Sequence, residues 1–228
     1  GAVESLPDLA GDKVWNIHPR SKEQRMALML LMDPAIQVVT LVGQAGSGKT
    51  LLALAAALET VLQPHPTYEK ILVSRPIIPL GNDIGYLPGD KDEKLSVWMQ
   101  PIYDNLDYLM HTEKEEAHSI QKHIDELKKS HKLELEALTY IRGRSIPRQF
   151  VIVDEAQNLT PHEVKTIVSR AGEGTKMVLT GDPYQIDNPY LDASSNGLSY
   201  IVERFKHLPL HGHVTLRKSE RSQLAAAA

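Results

Sequence analysis

The chain contains no cysteine. That removes disulfides and thiolate metal sites, and it fits a reducing compartment. Aromatic residues are scarce, at 5% of the sequence, so the core must be built from Leu, Ile, Val and Ala. No apolar run approaches membrane-spanning length and no signal-peptide pattern opens the chain, which makes a cytoplasmic protein the default expectation. Positive charge is not in excess. Lys and Arg total 25 against 29 Asp and Glu, for a net charge of −4. This is not the footprint of a strong duplex-DNA binder, although a single strand can still be held in a local basic groove. None of the ten histidines has metal-ligand spacing with a second ligand type, so no zinc site is expected. No internal repeat or low-complexity tract is present.

What is present begins at Gly43-Gln44-Ala45-Gly46-Ser47-Gly48-Lys49-Thr50, which fits G-x-x-x-x-G-K-[ST], the phosphate-binding P-loop. The apolar run Val38–Val42 leads in as a strand, and Leu51–Leu58 leads out as a helix. Glycines let the backbone curl so that successive N–H groups face phosphate oxygens, and the helix N-terminus adds partial positive charge. Residues 43–50 together with Leu51 form the expected nucleotide-binding set. Lys49 is expected to reach the β/γ-phosphates and Thr50 to hold magnesium. ATP and Mg²⁺ are the implied substrate and metal.

A second signal is Phe150-Val151-Ile152-Val153-Asp154-Glu155, an apolar strand ending in two carboxylates. Asp154 is expected to hold the metal, mostly through water, and Glu155 to orient or deprotonate the attacking water. A third strand, Lys176–Thr180, ends in Gly181-Asp182-Pro183-Tyr184-Gln185. Polar groups there fall beside the carboxylates, and Gln185 is the best candidate to sense the γ-phosphate.

The rest of the chain frames these motifs. Residues 1–20 read as an irregular approach segment, with Trp15–Pro19 packing on the domain edge. Ser21 reads as an N-cap with Gln24 at capping-box spacing, opening a helix to Met32. Lys70–Ser74 is a buried strand by pattern, followed by Arg75-Pro76 and a structured loop from Ile77 to Asp90 at a ligand-binding strand end. Lys91–Met110 reads as helix with a break or kink at Pro101. Residues 112–131 read as a charged, solvated helix within an insertion spanning about 91–132. Leu133–Leu138 alternates like an edge strand. Thr160-Pro161-His162-Glu163 starts a capped helix, Leu198–Phe205 forms another, and Val214–Leu216 is the last strand. The main domain is therefore residues 21–224, with 225–228 as a tail.

In sequence, the strand at 70–74 lies between the P-loop and the carboxylate pair. An inserted strand together with Glu155 points to an α/β, RecA-like P-loop NTPase, a mostly parallel sheet sandwiched by helices. A guanine-reading Asn-Lys-x-Asp is absent. Simple kinases of small molecules usually lack the Asp-Glu pair.

Seven segments together resemble the PhoH family of ATPases, related to superfamily-one helicases. They are the P-loop, Arg75-Pro76, Gly85–Asp90, Tyr140–Arg144, Asp154–Asn158, Gly181–Gln185 and Lys218–Ser222. The resemblance spans roughly residues 14–224. Ile17–Arg20 with Gln24 is similar to the version fused to an N-terminal PIN ribonuclease domain. No PIN domain is found among these residues, so no nuclease activity is assigned to them. The resemblance implies ATP hydrolysis coupled to binding or unwinding of single-stranded RNA, and a contact from Gln24 to the adenine edge. The residues alone equally allow Gln24 to complete the helix cap.

Helicases of the related superfamily complete the site with arginines from a second lobe, and this chain has length for one. The expectation is a ring, a hexamer, with Arg217 and Arg221 supplying the γ-phosphate contact and Arg142 and Arg144 behind them. The rival reading is a nucleotide-gated ring that remodels a protein partner and is induced by phosphate starvation.

Overall fold

The computed structural model describes residues 13–77, 97–111, 117–141, 143 and 145–218. Six strands form one sheet: β1 (Val38–Gly43), β2 (Lys70–Arg75), β3 (Leu133–Ala137), β4 (Gln149–Val153), β5 (Lys176–Gly181) and β6 (His211–Leu216). The order across the sheet is β3-β2-β4-β5-β1-β6. Every pairing is parallel. Parallel neighbours need crossovers, and the helices supply them on both faces. This is the RecA-like α/β sandwich expected from the sequence. One point differs. The strand lying in space between β1 and the carboxylate-bearing β4 is β5. The 70–74 strand pairs on the far side of β4.

The helices are α1 (Lys22–Met32), α2 (Lys49–Val61), α3 (Gln100–Met110), α4 (Ala117–Lys129), α5 (Leu138–Ile141), α6 (Pro161–Val168) and α7 (Gly197–Phe205), with a 3₁₀ turn at Ala156–Asn158. Strand residues alternate between the faces. Val39, Leu41, Ile71, Val73, Phe150, Ile152 and Val178 join α1, α2, α3 and α4 in one core. Val38, Leu72, Val151, Val153, Met177 and Leu179 join α5, α6 and α7 in the other. In α2, every residue from Leu52 to Leu58 is buried, and the four alanines among them let the helix lie close against the sheet.

Several local expectations change. The apolar run before Met110 breaks at Met99, so Pro101 sits in the first turn of α3, where its missing N–H costs nothing. Leu138 opens α5 instead of ending β3. Charge covers the outer side of α4, but Ile120 and Ile124 are buried against the core, so that helix is docked as well as solvated. Strand β6 starts three residues earlier than expected, because polar His211 and His213 alternate with inward Gly212 and Val214. Val14 and Ile17 bridge each other and are buried, while the Trp15 indole N–H donates to the Leu109 carbonyl at 3.0 Å. The approach segment is thereby fastened to α3. Among the described residues no helix is long and apolar enough to cross a membrane.

Candidate nucleotide site

Because all six strands run the same way, their carboxyl ends share one edge of the sheet, and the motifs gather there. The P-loop leaves β1 and enters α2 through Gly48, which caps the helix in the left-handed region at φ 91°. A side chain would be strained there. The Lys49 ammonium folds back over the loop and donates to the Gly43 and Gln44 carbonyls. The Ser47 hydroxyl is buried and has no partner. A buried, unpaired hydroxyl inside a ring of backbone N–H groups suits phosphate oxygens.

The carboxylates sit opposite. Asp154 is buried and accepts from the Thr50 hydroxyl at 2.8 Å and the Thr180 hydroxyl at 2.6 Å. Hard oxygen donors of this kind fit Mg²⁺, so Thr50 and Asp154 fall together as expected. Arg75, at the end of β2, reaches across with Nε 3.2 Å from Asp154 and Nη2 3.6 Å from Glu155. It also donates to the Trp98 carbonyl at 2.9 Å and lies over the Trp98 ring. Register explains the meeting, since Ser74 pairs with Val153 and the next residue on each strand is one of these partners.

Glu155 takes left-handed backbone angles, φ 56° and ψ 38°, a conformation that costs a non-glycine residue about 1–3 kcal/mol. The turn tips its carboxylate off the strand line. Burial raises its pKa above the usual carboxylate value and the Asp154 charge adds to that. The Gln157 hydrogen bond and the charges of Arg75 and Lys49 pull the other way. A more basic carboxylate is a better proton acceptor. Gln157, fully buried, donates to Glu155 at 2.6 Å and to the Gln185 carbonyl at 2.9 Å, and accepts from the Asp182 N–H at 3.2 Å. Its amide thus joins the end of β4 to the loop after β5. Gly181 gives it room, because a Cβ at that position would collide with the Gln157 side chain.

A cleft of about 280 Å³ opens beside the P-loop, between the approach segment, α1 and α3. Asn16, His18, Gln24, Gly48, Leu51 and Tyr108 are among its walls. Gln24 accepts from the Arg20 N–H at 2.8 Å and donates to the Ser47 carbonyl at 3.3 Å. It therefore ties the helix cap to the phosphate loop, and it also lines the cleft. Leu51 lines the same space.

Residues 43–51, Asp154 and Glu155 lie where the sequence puts them, and Gln185 lines a cleft with Arg75 and Glu155. Arg217 is exposed, one residue past Leu216, which pairs with Gly43 at the mouth of the P-loop. Arg142, Arg144 and Arg221 lie outside the described residues, as do Gly85–Asp90. The contacts of Arg75, Gln157 and Thr180 were not anticipated. Arg75 and Gln157 carry a signal as members of the segments that resemble the PhoH family, whereas Thr180 shows only by its place near the end of a strand.

A glycine-rich phosphate cradle, with a carboxylate pair two strands away in the same parallel sheet, defines a P-loop NTPase. The chain belongs to the PhoH family. The family model described as "PhoH-like protein" matches residues 16–227. The chain is 56% identical over 220 residues to "Protein PhoH2" of Bacillus subtilis, covering 95% of this chain and 48% of that protein. It is 42% identical to "Protein PhoH2" of Mycolicibacterium smegmatis, covering 99% and 49%. The chain thus spans about half the length of the curated relatives it matches. Among solved structures, Pif1 helicase from Candida albicans is 16% identical, with a TM-score of 0.43 over 89% of this chain and 40% of that one.

Proposed function

We propose that this chain is a Mg²⁺-dependent ATPase whose hydrolysis is coupled to binding and unwinding single-stranded RNA in the cytoplasm. The observation that carries the ATPase reading is the grouping of Thr50, Asp154 and Glu155 opposite Lys49. Lys49 exchanges its loop carbonyls for phosphate oxygens. Thr50 and Asp154 would hold Mg²⁺, which supplies neutralisation of phosphate charge. Glu155 holds the attacking water and takes its proton, with its carboxylate positioned by Gln157. Because Gln157 also holds the Gln185 backbone, movement of the loop after β5 and the position of the general base are mechanically linked.

The chain works as a ring, a hexamer, in which an arginine near the C-terminus completes a neighbour's site. The exposure of Arg217 beside the P-loop strand supports that role. ATP turnover is measured with and without single-stranded RNA across salt concentrations. Salt-sensitive stimulation by RNA but not by duplex DNA is expected. Rates flat in RNA sink the RNA coupling and favour the protein-remodelling ring. Mixing Lys49→Ala with Arg221→Ala subunits should restore turnover if arginine is donated in trans, and no recovery removes that arrangement.

A further inference from the structure

A second cavity lies at the same sheet edge but away from the P-loop. It is a groove of about 410 Å³ over the ends of β2 and β3, walled by Pro76, Ile77, Leu138, Leu159 and Pro189. That volume is in the range of small-ligand sites, about 300–1,000 Å³. Two features stand out against the apolar walls. Tyr190 stands at its mouth, 90% exposed, in a chain with few aromatics. Asn158 lines its floor, is only 3% exposed, and its Nδ2 group has no hydrogen-bond partner. The other end of that amide is in use. Oδ1 accepts from the Asp187 N–H at 2.8 Å and the Asn188 N–H at 3.3 Å, holding the loop that carries Tyr190.

A buried donor without a partner is costly, so its presence asks for an acceptor from outside. Beside an exposed phenol ring and proline walls, the fitting acceptor belongs to a flat, largely apolar group carrying a ring carbonyl. We infer that this groove takes a base of the single strand, stacked on Tyr190 with a carbonyl accepting from Asn158 Nδ2. Phosphates stay outside, which agrees with the absence of Lys and Arg, and the presence of Glu163, among the described residues of the groove walls. The groove borders the cleft that reaches Glu155, since Pro76 and Asn158 line both. Asn158 also follows Gln157 directly in the 3₁₀ turn. A base seated in the groove therefore presses on the same turn that positions the general base. This site rests on the RNA reading above.

The test is fluorescence anisotropy with a labelled uridine oligomer, alongside ATP turnover without RNA. Tyr190→Ala should weaken binding about ten-fold, within the range for loss of one stacked base, and leave basal turnover and melting temperature unchanged. Tyr190→Phe should restore binding. Asn158→Asp keeps the Oδ1 acceptor, removes the donor and should weaken binding with Tyr190 intact. If the unaltered protein binds the oligomer and Tyr190→Ala binds it as tightly, the groove assignment is overturned and the RNA reading survives. If the unaltered protein binds no oligomer, both fall.

Discussion

The two faces of the sheet are built differently. On the face covered by α1 to α4 nearly everything is hydrocarbon, and α2 lies in it with a continuous run of buried residues. The face under α5 to α7 has the smaller core, and polar groups reach into it. There the Thr40 hydroxyl is shared between His211 at 2.9 Å and His213 at 2.8 Å. Ser74 donates to the Glu136 carbonyl at 2.8 Å, and Asn158 holds the loop after β5. A close-packed apolar face transmits strain and resists rearrangement, whereas hydrogen bonds can be exchanged for others of similar strength. The P-loop grows from the first face and the Glu155–Asn158 turn abuts the second. On the proposed mechanism, phosphate would be held by the rigid side, and the groups that respond to it would sit on the adaptable one.

The largest effect should come from the responsive side. Glu155→Gln keeps the shape and the Gln157 contact but removes the proton acceptor. Turnover should fall about 10²–10⁴-fold while a fluorescent ATP analogue still binds. A variant that loses binding equally would erase the distinction between holding and responding. Next comes the dry face. Leu54→Ala should cost about 2–5 kcal/mol in chemical denaturation, because rigid packing around α2 leaves the cavity open. A much smaller loss would show that this face relaxes as freely as the other.

The dry face also buries a lysine. Lys176 is fully buried, and its ammonium donates to the Leu30 and Asp33 carbonyls at the end of α1, at 2.9 and 2.7 Å. Burial lowers its pKa to about 8, against the opposing pull of Asp33. Lys176→Met should destabilise the fold by about 1–3 kcal/mol, since the α1 carbonyls lose their donor. Equal or higher stability would assign the lysine no capping role.

The smallest effect is the pH response of the wetter face. Burial holds both His211 and His213 below the ordinary 6.5, and in His211 the charge of His213 adds to this, against a hydrogen bond that the imidazole donates to the Phe205 backbone. The unfolded chain then takes up protons before the folded one. Stability should be level above about pH 6.5 and decline as pH drops through 6.5 toward the folded values. His213→Asn should flatten that slope in melting curves taken across pH.

All six strands could be read in the sequence because parallel, doubly covered strands appear as short apolar runs, and β3 declared itself an edge by its alternating pattern. The phosphate loop and carboxylate pair were equally visible, since each is a local pattern with its own geometry. The contacts of Arg75 were not, because its neighbours Asp154 and Glu155 are about eighty residues away and meet it only through β2–β4 register. Lys176 looked like an ordinary strand start, as nothing local shows that the end of α1 lies above it. Asn158 was legible as part of a motif but not as an unpaired donor, a property that exists only once the groove is formed.

Arg75 clamps both acids, and the clamp sets the charge that any ligand of this site would meet. The Arg75 guanidinium lies across Asp154 and Glu155. On the proposed reading, a magnesium ion at Thr50 and Asp154 would share that carboxylate with a guanidinium held from behind by Trp98. The acid pair thus carries part of its counter-charge from within the chain.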